Sequence, residues 1–106
     1  MFSKKSDKDY RSPMEGVEFK ALVHGEKTML CEFRIKGGRK VPSHAHPHEQ
    51  TGYLVYGKMI FVIGEERFDV APGDSWCIPG NTPHSAEILE DSLIVEVFSP
   101  PREDYL

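Results

Sequence analysis

The sequence predicts a single small all-β domain, a sandwich or barrel, and three observations lead there. Apolar and polar residues alternate through most of the chain, as in Val17 to Val23 and Met29 to Ile35. Short β-branched or aromatic runs are separated by glycine-centred turn signals at close intervals. No stretch carries a convincing helical apolar period. With 106 residues the chain is long enough for one hydrophobic core and too short for a second.

Taken in order, residues 1–13 are rich in Lys, Asp and Ser and end at Pro13, so they bury too little apolar surface to order themselves. They are expected to form a flexible polar arm, available to cover an edge strand, and residues 14–106 the barrel domain. Val17, Phe19, Ala21 and Val23 share one face of a first strand, and His24-Gly25-Glu26 closes it as a turn that leaves His24 on the surface. Thr28 to Ile35 repeats the pattern, with Met29, Cys31, Phe33 and Ile35 on one face and Glu32 and Arg34 on the other. Gly37-Gly38 interrupts the chain before a histidine-rich stretch. Short strands are then expected at Gly52 to Gly57, Met59 to Ile63, Arg67 to Val70 and Ser75 to Ile78. Ala86 to Leu89 and Leu93 to Phe98 supply two more around a turn at Glu90-Asp91, and Pro100-Pro101 ends the sheet.

Composition narrows the function classes. A formal net charge of -4, with Lys4, Lys5 and Lys8 diluted by Asp7 and Asp9, provides no basic face for nucleic acid. Cys31 and Cys77 lie far apart and outside any Cys-x-x-Cys motif, which fits a reduced, cytoplasmic protein. No signal-peptide pattern opens the chain, and no apolar run approaches the ~20 residues of a membrane span.

The chemistry concentrates in Pro42-Ser43-His44-Ala45-His46-Pro47-His48-Glu49-Gln50, which holds three of the five histidines. His44 and His46 are two apart, so on a strand their side chains leave from one face with Cα atoms roughly 6.5 Å apart. Two imidazoles so placed converge on one ion with bonds of about 2.0–2.1 Å. Pro47 interrupts the alternation, so counting alone leaves the remaining ligands open. His48 and Glu49 are expected to face solvent or to support the ligands. His84, in Pro79-Gly80-Asn81-Thr82-Pro83-His84, is the residue that β topology would have to deliver.

These two stretches resemble the paired motifs of the cupin superfamily. Gly38, five residues, His44-Ala45-His46, and Gln50 seven positions before Gly57 resemble its first motif, with Gln50 where a glutamate is usual. Gly73, five residues, Pro79 and then His84 resemble the second, with Asn81 at a glycine position, a change tolerable because asparagine also visits positive φ. The resemblance implies a jelly-roll barrel holding one divalent transition metal (Ni, Mn, Fe, Zn or Cu) and pairing as a homodimer. A narrower similarity, carried by His44 to Gln50 and by Glu96 to Tyr105, is to the small cupins that open the ring of unsaturated uronates from pectin and alginate breakdown. It implies His44, His46, Gln50 and His84 as metal ligands, and Glu96, Phe98 and Arg102 as pocket residues acting on an anionic sugar. Glu96 stands where that family typically has aspartate.

Each residue also has a plainer reading. Gln50 is either a ligand or a hydrogen-bond partner of a histidine. Glu96, sharing a face with Ile94 and Phe98, either meets water or points into the barrel as an acid or base. Arg102 is either a solvated tail charge or a fork for a substrate carboxylate. Trp76, Phe33 and Met29 are core residues in the plain reading and, with Phe98, pocket wall in the other. A cavity that binds or senses a metabolite without reacting is the rival function, and an iron-dependent dioxygenase is a second.

Overall fold

The computed structural model describes residues 1–106 and consists almost entirely of antiparallel strands. In chain order they are β1 (Arg11–Met14), β2 (Val17–His24), β3 (Met29–Ile35), β4 (Lys40–His44), β5 (Glu49–Ile63), β6 (Glu66–Val70), β7 (Ser75–Ile78) and β8 (His84–Ser99). The one helical segment is a 3-10 turn at Glu103–Tyr105. β5 and β8 are the spine, paired antiparallel from Glu49↔Ser99 to Ile63↔His84. Around the first half of β5 and the second half of β8 lie β1, β2, β3 and β7; around their other halves lie β4 and β6. The two long strands thus pass from one sheet to the other, and the sheets enclose a core of Val17, Ile35, Leu54, Met59, Phe61, Val70, Ile78, Ile88 and Ile94. This is the jelly-roll barrel that the alternation and the paired motifs predict.

Two expected breaks are barrel corners instead. Gly57 and Glu90-Asp91, read as strand ends, lie inside β5 and β8 where the pairing register shifts between Leu54 and Met59. Gly57 has φ +110°, and a Cβ there would overlap Ser92 on the facing strand. Ser92 fills the corner, its hydroxyl donating to the Glu90 carbonyl at 2.8 Å and accepting from Lys58 N–H at 3.2 Å. A glycine with a bulge bends a strand without ending it. Gly57→Ala is therefore expected to cost about 2 kcal/mol, from the backbone strain and the overlap together. Thermal or urea unfolding reads this, and an unchanged midpoint would show that the corner relaxes freely.

Burial decides the stability. Leu54, Met59, Ile78 and Ile88 are 0–1% exposed, each contributing roughly 1.5–3 kcal/mol. Surface pairs such as Lys36–Asp91 at 3.6 Å contribute about 0–1 kcal/mol. The sheet begins at Arg11, inside the segment expected to be a free arm, because Arg11 and Met14 pair with Phe19 and Val17. Ahead of β1 the chain lies against the outer face of β2 and β3. Tyr10 donates to Glu32, Arg34 stacks 4.2 Å from the Tyr10 ring centre, and Lys20 reaches the Ser6 carbonyl at 3.3 Å. The thiols of Cys31 and Cys77 are both free, and no helix is long and apolar enough to cross a membrane.

Candidate metal centre and cavity

Three of the sequence-predicted ligands meet at one mouth of the barrel. His44 ends β4 and pairs directly with His84, the first residue of β8. His46 follows in the connection to β5, two positions on as the spacing predicts but beyond the strand. Its carbonyl accepts the Asn81 N–H at 2.7 Å, which ties the second motif to the first. Asn81 has φ +64°, the backbone state expected of the residue replacing glycine there. One ring nitrogen from each of His44, His46 and His84 lies within 4.8 Å of the others. His46 and His84 are buried and His44 is exposed at the rim.

Hydrogen bonds set the tautomers. Nδ1 of His44 donates to the Pro42 carbonyl at 2.9 Å, Nδ1 of His46 to the His48 carbonyl at 3.1 Å, and Nδ1 of His84 to the Thr82 carbonyl at 2.8 Å. A neutral imidazole carries one donor and one acceptor nitrogen, so each Nε2 keeps its lone pair. Burial lowers the pKa of His46 and His84, which favours that neutral form.

Nε2 of His84 is buried without a hydrogen-bond partner. Nε2 of His46 faces Oε1 of Gln50 at 3.0 Å, two acceptors in contact. A cation held between them would satisfy these atoms at once. The donor set, three neutral imidazoles and an amide oxygen, fits a divalent transition metal. Gln50 is 5% exposed on β5 with its Oε1 beside His46 Nε2, a place open to either of the roles the sequence left for it. His48 lies outside it, supplying its carbonyl to His46, and His24 is exposed at the end of β2.

The imidazoles open onto a cavity of about 230 Å³ inside the barrel. Glu96 lies in its wall, only 8% exposed, because β8 turns Ile94, Glu96 and Phe98 inward. Burial pushes its carboxyl up to about 7, while hydrogen bonds from Gln50 and Trp76 and the charge of Arg102 pull the other way. The Gln50 NH₂ group and Trp76 Nε1, at 3.4 Å, both donate to Glu96 Oε2. Phe33 and Phe98 line the cavity as expected.

Met29 and Trp76 do not. Met29, fully buried, packs with Cys31 and Phe98 behind the wall. Trp76 comes from β7, stands against Phe61 at 5.1 Å, and is absent from the cavity wall. Parity puts both on inward faces, but inward includes packed core as well as cavity.

Arg102 is not a free tail charge. Its side chain is 13% exposed and its guanidinium lies 4.0 Å from the Tyr105 ring centre and 5.2 Å from that of Phe98. One edge of the fork is taken: Nε and Nη2 donate to Asp104 at 3.3 and 2.8 Å. The Arg102 hydrogen bond holds the Asp104 carboxyl below its usual range. A carboxylate ligand would meet the Nη1 side. Tyr105, not singled out from the sequence, closes the cavity against Phe19 at 4.6 Å and Phe98 at 5.5 Å. Arg11 on β1 holds that closure, donating to the Asp104, Tyr105 and Leu106 carbonyls at 3.2, 2.7 and 2.9 Å. Arg102 and Tyr105 follow the last strand, where no periodicity marks them.

Known proteins share this fold. A family model described as a cupin domain matches residues 31–99. The pectin degradation protein KdgF of Dickeya dadantii (strain 3937) is 29% identical over 94 residues, 87% of this chain and 86% of that protein. The solved structure of KdgF from Halomonas sp. superposes with a TM-score of 0.93 at 31% identity, covering 100% of this chain and 98% of the other. An RmlC-like cupin from Shewanella frigidimarina NCIMB 400 gives 0.93 at 25% identity, covering 99% and 95%. With both motifs placed at one mouth of a jelly roll and the family model spanning residues 31–99, the chain belongs to the cupin family.

Proposed function

We propose that this cupin opens the ring of a 4,5-unsaturated uronate monosaccharide, converting the cyclic enol ether to a linear keto sugar. The observation that carries the reading is that three clustered histidines stand at a cavity of about 230 Å³ whose wall also includes Gln50, Glu96 and Arg102. The full-length similarity to the KdgF proteins supports it. A bound divalent metal, one of Ni, Mn, Fe, Zn or Cu, supplies Lewis-acid polarisation of substrate oxygens. His44, His46, Gln50 and His84 would hold it, and because all four are neutral the site would retain its full positive charge and attract an anionic ligand.

Arg102 adds a second positive charge and meets the substrate carboxylate from its Nη1 side. Glu96 takes the proton from the hydroxyl on the anomeric carbon. The bond from that carbon to the ring oxygen breaks with its electron pair going to the oxygen, leaving an aldehyde and an enolate. The enolate becomes the ketone by taking up at C4 the proton that Glu96 removed, so no atoms are gained or lost overall. Phe33, Phe98 and Tyr105 exclude water from the reacting centre.

The test is consumption of the enol-ether ultraviolet absorbance of an unsaturated uronate by metal-loaded protein. Loss faster than the spontaneous rate is expected, and a trace equal to the protein-free control would end this reading. Binding without reaction is favoured by one observation: Glu96 and Arg102 are both already engaged within the chain. Thermal stabilisation by the uronate with no loss of absorbance would select it. The homodimer implied by the resemblance belongs to the proposal too, with Tyr53, 49% exposed, and Val55, 42% exposed, on the outer side of β5 as its contact residues. Sedimentation at micromolar protein is expected to give twice the chain mass, and a monomer would remove it.

A further inference from the structure

Gln50 can be a metal ligand only if its amide presents oxygen, not nitrogen, to the imidazoles. Nothing in the amide itself makes that choice, because its two ends are nearly identical in shape. The choice is made on the other side. The NH₂ end faces Glu96 Oε2, an acceptor, and this turns Oε1 towards His46 Nε2 at 3.0 Å.

Glu96 in turn is held by a row of residues in register across three strands. Gly52 of β5 pairs with Trp76 of β7 on one side and with Glu96 of β8 on the other. A Cβ at position 52 would overlap the Trp76 indole. With no side chain there, the indole lies across β5 and its Nε1–H reaches Glu96 Oε2 at 3.4 Å. Gly52 therefore works as a gap that lets one strand reach past its neighbour to the next.

We propose that Glu96, anchored by Trp76 across Gly52, is a positioning residue that fixes the Gln50 amide with its oxygen towards the metal site. This rests on the metal-site reading above but not on the identity of the substrate or on turnover. It assigns Glu96 a role separate from proton transfer, and it explains the pairing of a neutral amide at 50 with an acid at 96. A carboxylate at 50 would stand against the carboxylate at 96, and like charges in contact disfavour one another.

Calorimetric titration of the metal-free protein with Zn(II) tests the proposal without any activity measurement. Glu96→Gln keeps an acceptor oxygen for both donors, so its affinity is expected within about 3-fold of the parent. Glu96→Leu removes the acceptor and is expected to weaken binding by about 10- to 100-fold, the usual effect of losing a partner that orients a ligand. Trp76→Phe keeps the ring and loses only the N–H, so a smaller loss is expected.

The decisive arm is the cycle with Gln50→Ala. If Glu96 acts through Gln50, adding Glu96→Leu to Gln50→Ala weakens binding no further, whereas independent effects would multiply. Unweakened binding by Glu96→Leu, or full additivity in the cycle, would overturn the proposal. Thermal melts of the metal-free variants identify any that fail to fold. For such a variant, Glu96→Gln in the Gln50→Glu background replaces it: there an amide donor faces a carboxylate, and affinity above that of Gln50→Glu alone is expected. Equal affinity of those two would also overturn the proposal.

Discussion

Glu96→Gln is expected to lower turnover of an unsaturated uronate by about 100- to 10,000-fold, the contribution of a positioned proton-transfer group. Metal affinity stays near that of the parent, because the amide oxygen still accepts from Gln50 and Trp76. The separation follows from the geometry. Oε2 is occupied by the Gln50 and Trp76 donors, while the other carboxyl oxygen is the one left to meet substrate. Steady-state rates beside calorimetry check it: turnover as fast as wild type would remove the proton-transfer role from Glu96.

The second large effect is at His84. Its Nε2 is buried and without a partner in the chain, so a metal there binds the folded state and not the unfolded one. Metal at 100 times its dissociation constant is then expected to stabilise the fold by about 2.7 kcal/mol, a rise on the order of 10 °C in melting temperature for a domain of this size. His84→Ala is expected to lose that rise and, with it, turnover. Removing the metal with a chelator should reproduce both losses in the parent chain and reverse on re-addition. A His84→Ala protein that still melts higher with metal would take His84 out of the ligand set.

Much of the architecture was legible because its cause is local. Alternation fixes which side chains share a face, so the sets that travel together on β3 and β8 followed from parity. The His44 and His46 spacing, with His84 following a proline-framed turn, pointed to one site. Local signals failed where one residue type serves two purposes. Gly57 reads as a turn, and a glycine at positive φ does end many strands; here it bends a strand that the facing Ser92 keeps paired. Glu90-Asp91 reads as a hairpin turn for the same reason.

Arg11 reads as the end of an arm because its pairing with β2 and its hold on the C-terminal carbonyls join residues that are far apart in sequence. For Trp76 and Met29 the core and cavity readings both stand in the sequence, because parity distinguishes inside from outside but not cavity from packed core.

The sequence by itself determined an all-β domain, the two histidine-bearing stretches, and the face that Glu96 shares with Ile94 and Phe98. These are properties of neighbouring residues and of a fixed period of two. Only the tertiary structure decided that Gln50 turns its oxygen to the imidazoles, that Trp76 reaches Glu96 through the gap at Gly52, and that Arg102 and Tyr105 close the cavity. Each of these depends on strands distant in the chain being brought into register, and register is set by the pairing of whole strands, which no local pattern encodes.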